Sequence, residues 1–156
     1  MASKYKELGI NRKAHYDYEI LYKFEAGIFL LGSEVKSLRK NKVGLTESYA
    51  GLTAHNEVFV YQLNIPKYSL ANQMNHEPKR NRKLLLRKKE IRKLVGLLKK
   101  NGYSLVPLSM YFNERGFVKI SLGLGRGKKQ VDKREAIKER EWNREKGRVL
   151  KQKLRF

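Results

Sequence analysis

Val118-Lys119-Ile120-Ser121-Leu122-Gly123-Leu124 runs straight into Gly125-Arg126-Gly127-Lys128-Lys129-Gln130-Val131-Asp132-Lys133-Arg134, and this junction divides the chain. Up to Leu124, large apolar residues alternate with polar or small ones, which is the period of a strand with one face buried. Beyond it apolar residues become scarce, and Lys or Arg recurs every two or three positions. A chain with a folded half and a cationic half usually grips a polyanion. Residues 1–124 therefore read as the body, with 1–12 as a flexible lead. Residues 125–156 read as a basic tail, disordered when free and ordered on its partner, since it cannot build a core of its own.

The charge balance agrees. The 156 residues carry 36 Lys+Arg against 15 Asp+Glu, a formal net charge of +21. Such an excess attracts anions over a screening length of about 8 Å at physiological salt. Nucleic acid is the leading partner and an anionic membrane surface the second. No run of about 18 apolar residues exists to span a bilayer. Residues 1–12 lack the apolar core of a signal peptide. Cysteine is absent, which removes disulfides and thiolate metal sites. A cytoplasmic protein is the expectation.

Upstream, the spacing predicts a strand over 16–31, with Tyr16, Tyr18, Ile20 and Tyr22 facing the core and a bend or bulge at Ala26-Gly27. Gly32-Ser33 suits a loop and N-cap, and Glu34 to Arg39 a short helix with Val35 and Leu38 inward. Strands are predicted over 48–54 and 58–63, joined by a turn at His55-Asn56-Glu57. Residues 67–82 read as a long polar loop. Ile91, Leu94, Val95 and Leu98 lie at i, i+3, i+4 and i+7, so 88–100 is predicted as a helix with Gly102 just beyond it. Strands over 103–112 and 117–124 follow, joined at Asn113 to Gly116. The expected fold is mainly β, an antiparallel β-barrel with packed helices.

Three basic groups stand out: Lys36, Arg39, Lys40 and Lys42; Lys79 to Lys89 around Leu84-Leu85-Leu86; and Arg126 onward. Any one alone could be a solvated face, but together they favour phosphate contacts. Neutralising about six phosphates would cost roughly a thousandfold in affinity between 50 and 200 mM salt. The Leu triplet reads more readily as core than as contact. Asp132 to Leu150 is rich in helix formers, so the tail is predicted to form a conditional helix on RNA. His15, His55 and His76 are isolated in sequence, and no nucleophile set, metal set or phosphate loop is visible. No metal, no cofactor and no enzymatic activity are expected.

Five strings occur in a telling order: Asn11 with Ala14-His15-Tyr16-Asp17-Tyr18; Phe24-Glu25-Ala26-Gly27; Glu34-Val35-Lys36-Ser37-Leu38-Arg39; Arg82-Lys83-Leu84-Leu85-Leu86; and Gly127-Lys128-Lys129-Gln130-Val131-Asp132-Lys133-Arg134. Together they resemble the small protein B (SsrA-binding protein) family across essentially the whole chain. The resemblance implies an oligonucleotide-binding-fold (OB-fold) barrel with about three packed helices. It also implies a monomeric factor that binds the tRNA-like domain of transfer-messenger RNA (tmRNA) and delivers it to stalled ribosomes for trans-translation. The tail would turn helical in the mRNA channel, beside the rRNA of the decoding region.

Carried over by position, Glu25 and Leu85 are the implied RNA-binding residues, with Asn11 and Arg39 of the matching strings beside them, and Lys36, Lys83, Lys119, Lys128 and Lys129 would supply phosphate contacts. Asp132, Lys133, Arg134, Lys138, Arg140 and Trp142 are the implied ribosome-contacting tail. Two positions depart from the family pattern: Arg87 where a polar residue is frequent, and Val131 where some relatives carry His. The alternative of another class is a general structured-RNA-binding or ribosomal protein of the same barrel type.

Overall fold

Eleven elements follow one another among the described residues of the computed structural model, which are 5–71, 74–100 and 102–154, with no side chains described for 130–132. Their order is β1 (Lys6–Ile10), α1 (Arg12–Asp17), β2 (Tyr18–Ile28), α2 (Gly32–Lys40), β3 (Tyr49–Leu52), β4 (Val58–Tyr61), β5 (Arg82–Leu85), α3 (Lys88–Leu98), β6 (Tyr103–Phe112), β7 (Val118–Gly127) and α4 (Gln130–Lys153). Every pairing is antiparallel, in the order β1-β6-β3-β4-β5-β2-β7, with β7 pairing back onto β6. The sheet thus returns on itself as the expected OB-fold-like barrel. Closure is thin on one side, where β3 and β6 share the single register pair Ala50 with Leu105.

Alternation explains the interior. Val118, Ile120, Leu122 and Leu124 of β7 are all buried, as are Phe24, Ala26 and Ile28 of β2, Val58 and Val60 of β4, and Leu84 of β5. Leu38 of α2 and Leu94 of α3 pack into the same core. Each of these side chains larger than Ala26 contributes about 1.5–3 kcal/mol by leaving water. A second, smaller cluster joins Ala14 of α1 to Val106 and Leu108 of β6, with Tyr18 and Ile20 against it. The turn between β6 and β7 is closed by Asn113, whose Oδ1 accepts from the Arg115 and Phe117 amides at 3.1 and 2.9 Å, and by Gly116 at φ +80°.

Several expectations shift. The lead expected to be flexible contains β1, which pairs with β6 and buries Leu8. Tyr16 lies in α1 instead of a strand, because Asn11 caps a helix there: its Oδ1 accepts from the Ala14 amide at 3.2 Å. The irregularity in β2 falls between Ile20 and Tyr22, not at Ala26-Gly27, and Tyr22 stays 39% exposed with Lys93 Nζ 4.5 Å from its ring centre. The polar stretch after β4 ends in β5, so the Leu triplet alternates instead of burying as a block. The tail, expected to be disordered when free and to become helical over 132–150 on RNA, is here a helix from Gln130 to Lys153. Its base meets α1, where Lys128 Nζ donates to the His15 carbonyl at 2.9 Å and Lys133 Nζ pairs with Asp17 Oδ1 at 3.1 Å.

Candidate nucleic-acid interface

Residues that point away from the core on β5, β2, β7 and β6 form one wall. Gly27 of β2 is in register with Leu85 of β5 on one side and Lys119 of β7 on the other. Glu25 lies two residues along β2, on the same face. Lys83 lies two residues before Leu85, and Tyr111 of β6 is in register with Lys119. Four of the sequence-predicted residues, Glu25, Lys83, Leu85 and Lys119, are therefore brought together. Leu85 is 51% exposed although Leu84 is buried, because successive strand residues face opposite ways. Gly27 leaves it room: a Cβ there would stand 3.3 Å from the Leu85 Cβ. Leu85, Gly27, Lys119 and the exposed Phe117 border a shallow depression of about 410 Å³.

Glu25 is not a bare surface charge. Tyr111 Oη donates to Glu25 Oε2 at 2.5 Å. Burial, and then the hydrogen bond to Glu25, hold the phenol above its ordinary pKa, so it stays a donor into alkaline conditions where a free tyrosine ionises. The carboxylate is oriented by that bond while keeping acceptor capacity for base edges or 2′-hydroxyls. Lys83 pairs with Glu57 at 3.0 Å, both about half exposed, so the pair yields readily to a phosphate. Among the described residues Lys119 has no ion-pair partner.

The remaining predicted residues lie elsewhere. Asn11 is 3% exposed, and its amide donates to the Pro107 carbonyl at 2.9 Å and, at a longer 3.5 Å, to that of Leu45. It fastens α1 to β6 and is not available to RNA, which corrects the expected contact. Lys36 and Arg39 are exposed on α2, and Lys6 Nζ donates to the Arg39 carbonyl at 2.7 Å. Lys128 and Lys129 lie where β7 hands over to α4. On α4, Arg134, Lys138, Arg140 and Trp142 are exposed, and Lys146 Nζ is 5.1 Å from the Trp142 ring centre. The Asp132 side chain lies outside the described set.

This arrangement matches a known kind of protein. The family profile described as SmpB protein matches residues 8–152, from β1 into the last turn of α4. The chain belongs to the SmpB family. An SsrA-binding protein of Wolbachia sp. subsp. Drosophila simulans (strain wRi) is 52% identical over 144 residues, covering 92% of this chain and 96% of its own. That of Rickettsia canadensis is 51% identical over 152 residues, covering 97% and 99%. A chain from a solved structure of tmRNA-SmpB in the bacterial ribosome shares 46% identity at a TM-score of 0.65, covering 86% of this chain and 95% of that one.

Sequence reasoning missed what fixes the SmpB body behind its outer wall. Glu34 of α2 and Arg82 of β5 are both fully buried, with Arg82 Nε donating to Glu34 Oε2 at 3.1 Å. Arg82 also donates to the carbonyls of Leu63 at 2.6 Å and Pro78 at 3.0 Å. Arg80 closes the second Glu34 oxygen. His76 is 3% exposed, with Nε2 2.9 Å from the Ile65 carbonyl and Nδ1 3.0 Å from Ser33 Oγ. These groups tie the polar loop to α2. The available signal was Arg82 itself, which occupies an inward position two residues before Leu84. Among the described residues no group of three or more His, Cys, Asp and Glu could hold a metal, and no helix is long and apolar enough to cross a membrane.

Proposed function

We infer that this protein binds tmRNA and carries it to stalled ribosomes for trans-translation. The observation that carries the reading is the extent of the family match, which takes in the barrel and the basic helix alike. The finer reading divides the work. The Glu25, Lys83, Leu85 and Lys119 wall receives the tRNA-like domain of tmRNA, with Lys36, Arg39, Lys128 and Lys129 adding phosphate contacts. The tail, through Asp132, Lys133, Arg134, Lys138, Arg140 and Trp142, settles against rRNA of the decoding region and mRNA channel. Phosphate neutralisation there offsets the entropy of ordering the helix. The protein acts in the cytoplasm as a monomer without metal, cofactor or turnover, by binding and positioning alone.

Truncation after Lys129, which keeps the Lys128 and Lys129 phosphate contacts, tests this division. tmRNA affinity is expected to stay within a few-fold of the full chain, while peptide tagging on ribosomes stalled without a stop codon is lost. Equal loss of both would refute the assignment. Competition between tmRNA and ordinary tRNA separates this reading from a general RNA-binding protein, which would show little preference.

A further inference from the structure

The outward row does not stop at Lys83. Its register partner on β4 is Phe59, Tyr61 follows two residues later on the same face, and Tyr49 of β3 stands opposite Tyr61. The rings form a ladder: Tyr49 and Tyr61 lie 5.1 Å apart at 25°, and Phe59 and Tyr61 6.4 Å apart at 29°. Gly51, in register with Phe59, puts no side chain on this face, and a Cβ there would make only ordinary contact with the Tyr61 ring at 3.8 Å. Tyr49 is 53% exposed. At the Tyr49 end the wall opens into a cleft of about 540 Å³ bordered by Lys13, Gly51, Leu52, Tyr103 and Ser104. The cleft lies at the thin seam where β3 and β6 share one register pair.

We propose that the Tyr49–Tyr61–Phe59 ladder, with the cleft beside Tyr49, is a stacking platform for unpaired nucleotides of an RNA. Tyr49 is the exposed ring of the stack, Tyr61 and Phe59 are half-buried behind it in the row, and every base has a face to lay on such a ring. The cleft has the size of a small-ligand site, enough for a base turned out of the row. Lys83 at one end and Lys13 at the other are placed for the backbone phosphates, and the +21 net charge selects a polyanion over a neutral partner. Glu57 on Lys83 and Asp17 in the cleft are the acidic neighbours; they set a limit on how tightly phosphate is held and leave the ring faces untouched. The platform shares Lys83 with the wall that receives tmRNA but extends around the barrel away from Glu25. It rests on the RNA-binding reading for the class of its ligand.

The test uses the full chain and a labelled oligoadenylate of about ten nucleotides, within the usual site size of an oligonucleotide-binding barrel, beside an RNA duplex of equal length. Tyr49→Ala is expected to weaken single-strand binding about tenfold. The slope of affinity against salt should not change, because no phosphate contact is removed. Duplex binding should hold within about twofold, since paired bases cannot reach the rings. Tyr49→Phe should retain binding, and Lys83→Gln should lower the salt slope by about one. Loss of equal size on the duplex, or no loss on the single strand, overturns the proposal. Tyr61→Leu, checked for an unchanged thermal midpoint, gives a second ring at which the same loss must appear. tmRNA affinity is read in the same proteins, so its failure would sink the functional reading alone, whereas the platform stands or falls on oligoadenylate.

Discussion

Replacing Arg82 with Met removes a guanidinium that water never reaches. Its Nε, Nη1 and Nη2 donate to Glu34 and to the carbonyls of Leu63 and Pro78. Burial lowers the Arg82 pKa more than the attraction of Glu34 raises it, so desolvation consumes much of what the ion pair returns. The cost of the substitution therefore comes from what is left behind. Glu34, fully buried, would keep only Arg80, itself partly exposed, and the buried Leu63 carbonyl and the part-buried Pro78 carbonyl would each lose a donor. Removing one partner of a buried pair costs about 3–5 kcal/mol. That is a large part of the roughly 5–15 kcal/mol that holds a domain. With a urea slope near 2 kcal/mol/M, the unfolding midpoint should fall by about 2 M, read by far-UV circular dichroism. Glu34→Leu combined with Arg82→Met should cost clearly less than the two singles added, because no fully buried charge is left unpaired and Arg80, which loses Glu34, still reaches water. A single-variant cost under about 1 kcal/mol, the range of an exposed pair such as Lys83–Glu57, would refute the reasoning. So would strict additivity in the double variant.

Other perturbations probe other parts. Tyr111 keeps its proton in the folded protein to a higher pH than in the unfolded chain, where it ionises near about 10. Its contribution is fully present below that pH and is lost as pH rises from there through the folded value, so the stability gap between wild type and Tyr111→Phe should be constant up to about pH 10 and narrow only above it; a gap in urea midpoints that narrows already near neutral pH, or never narrows above about pH 10, contradicts this. Glu25→Ala and Leu85→Ala should each weaken tmRNA binding, with the salt slope unchanged for Leu85→Ala; unaltered affinity at several salt concentrations removes the residue from the site. A Cβ on Gly125 would sit 2.1 Å from the Glu19 carbonyl oxygen, so Gly125→Ala should cost about 1–3 kcal/mol, whereas Gly96→Ala, in open space within α3, should gain about 1 kcal/mol. Chemical denaturation of both variants reads the contrast.

Much of the barrel was legible because its signals are local. Alternation in β7 and the apolar stripe of α3 each need only neighbours in sequence to be recognised. The turn at His55-Asn56-Glu57 was legible likewise, and Asn56 there takes φ 58°. β1 was not legible, since five residues with one buried Leu become a strand only against the edge of β6. α1 carried a signal that was passed over, an Asn three residues before a buried Ala. β5 was hidden by its composition: Arg82 faces inward only because Glu34, far away in sequence, waits there. Exposure of Leu85 and clustering with Glu25 and Lys119 depend on strand register, which no single segment encodes. Asn11 shows the converse, a residue that resemblance assigned to RNA and that packing claims for itself.

β7 is bonded along both flanks, to β2 and to β6, and only Lys128 and Lys129 separate it from α4. Inter-strand bonds run across the strand direction, so a pull on the tail that acts along β7 strains two whole seams sideways at once instead of unzipping one from its end. The tail is moored like a keel plank, not like a rope on a cleat, and whatever draws it along a groove must haul the entire barrel after it.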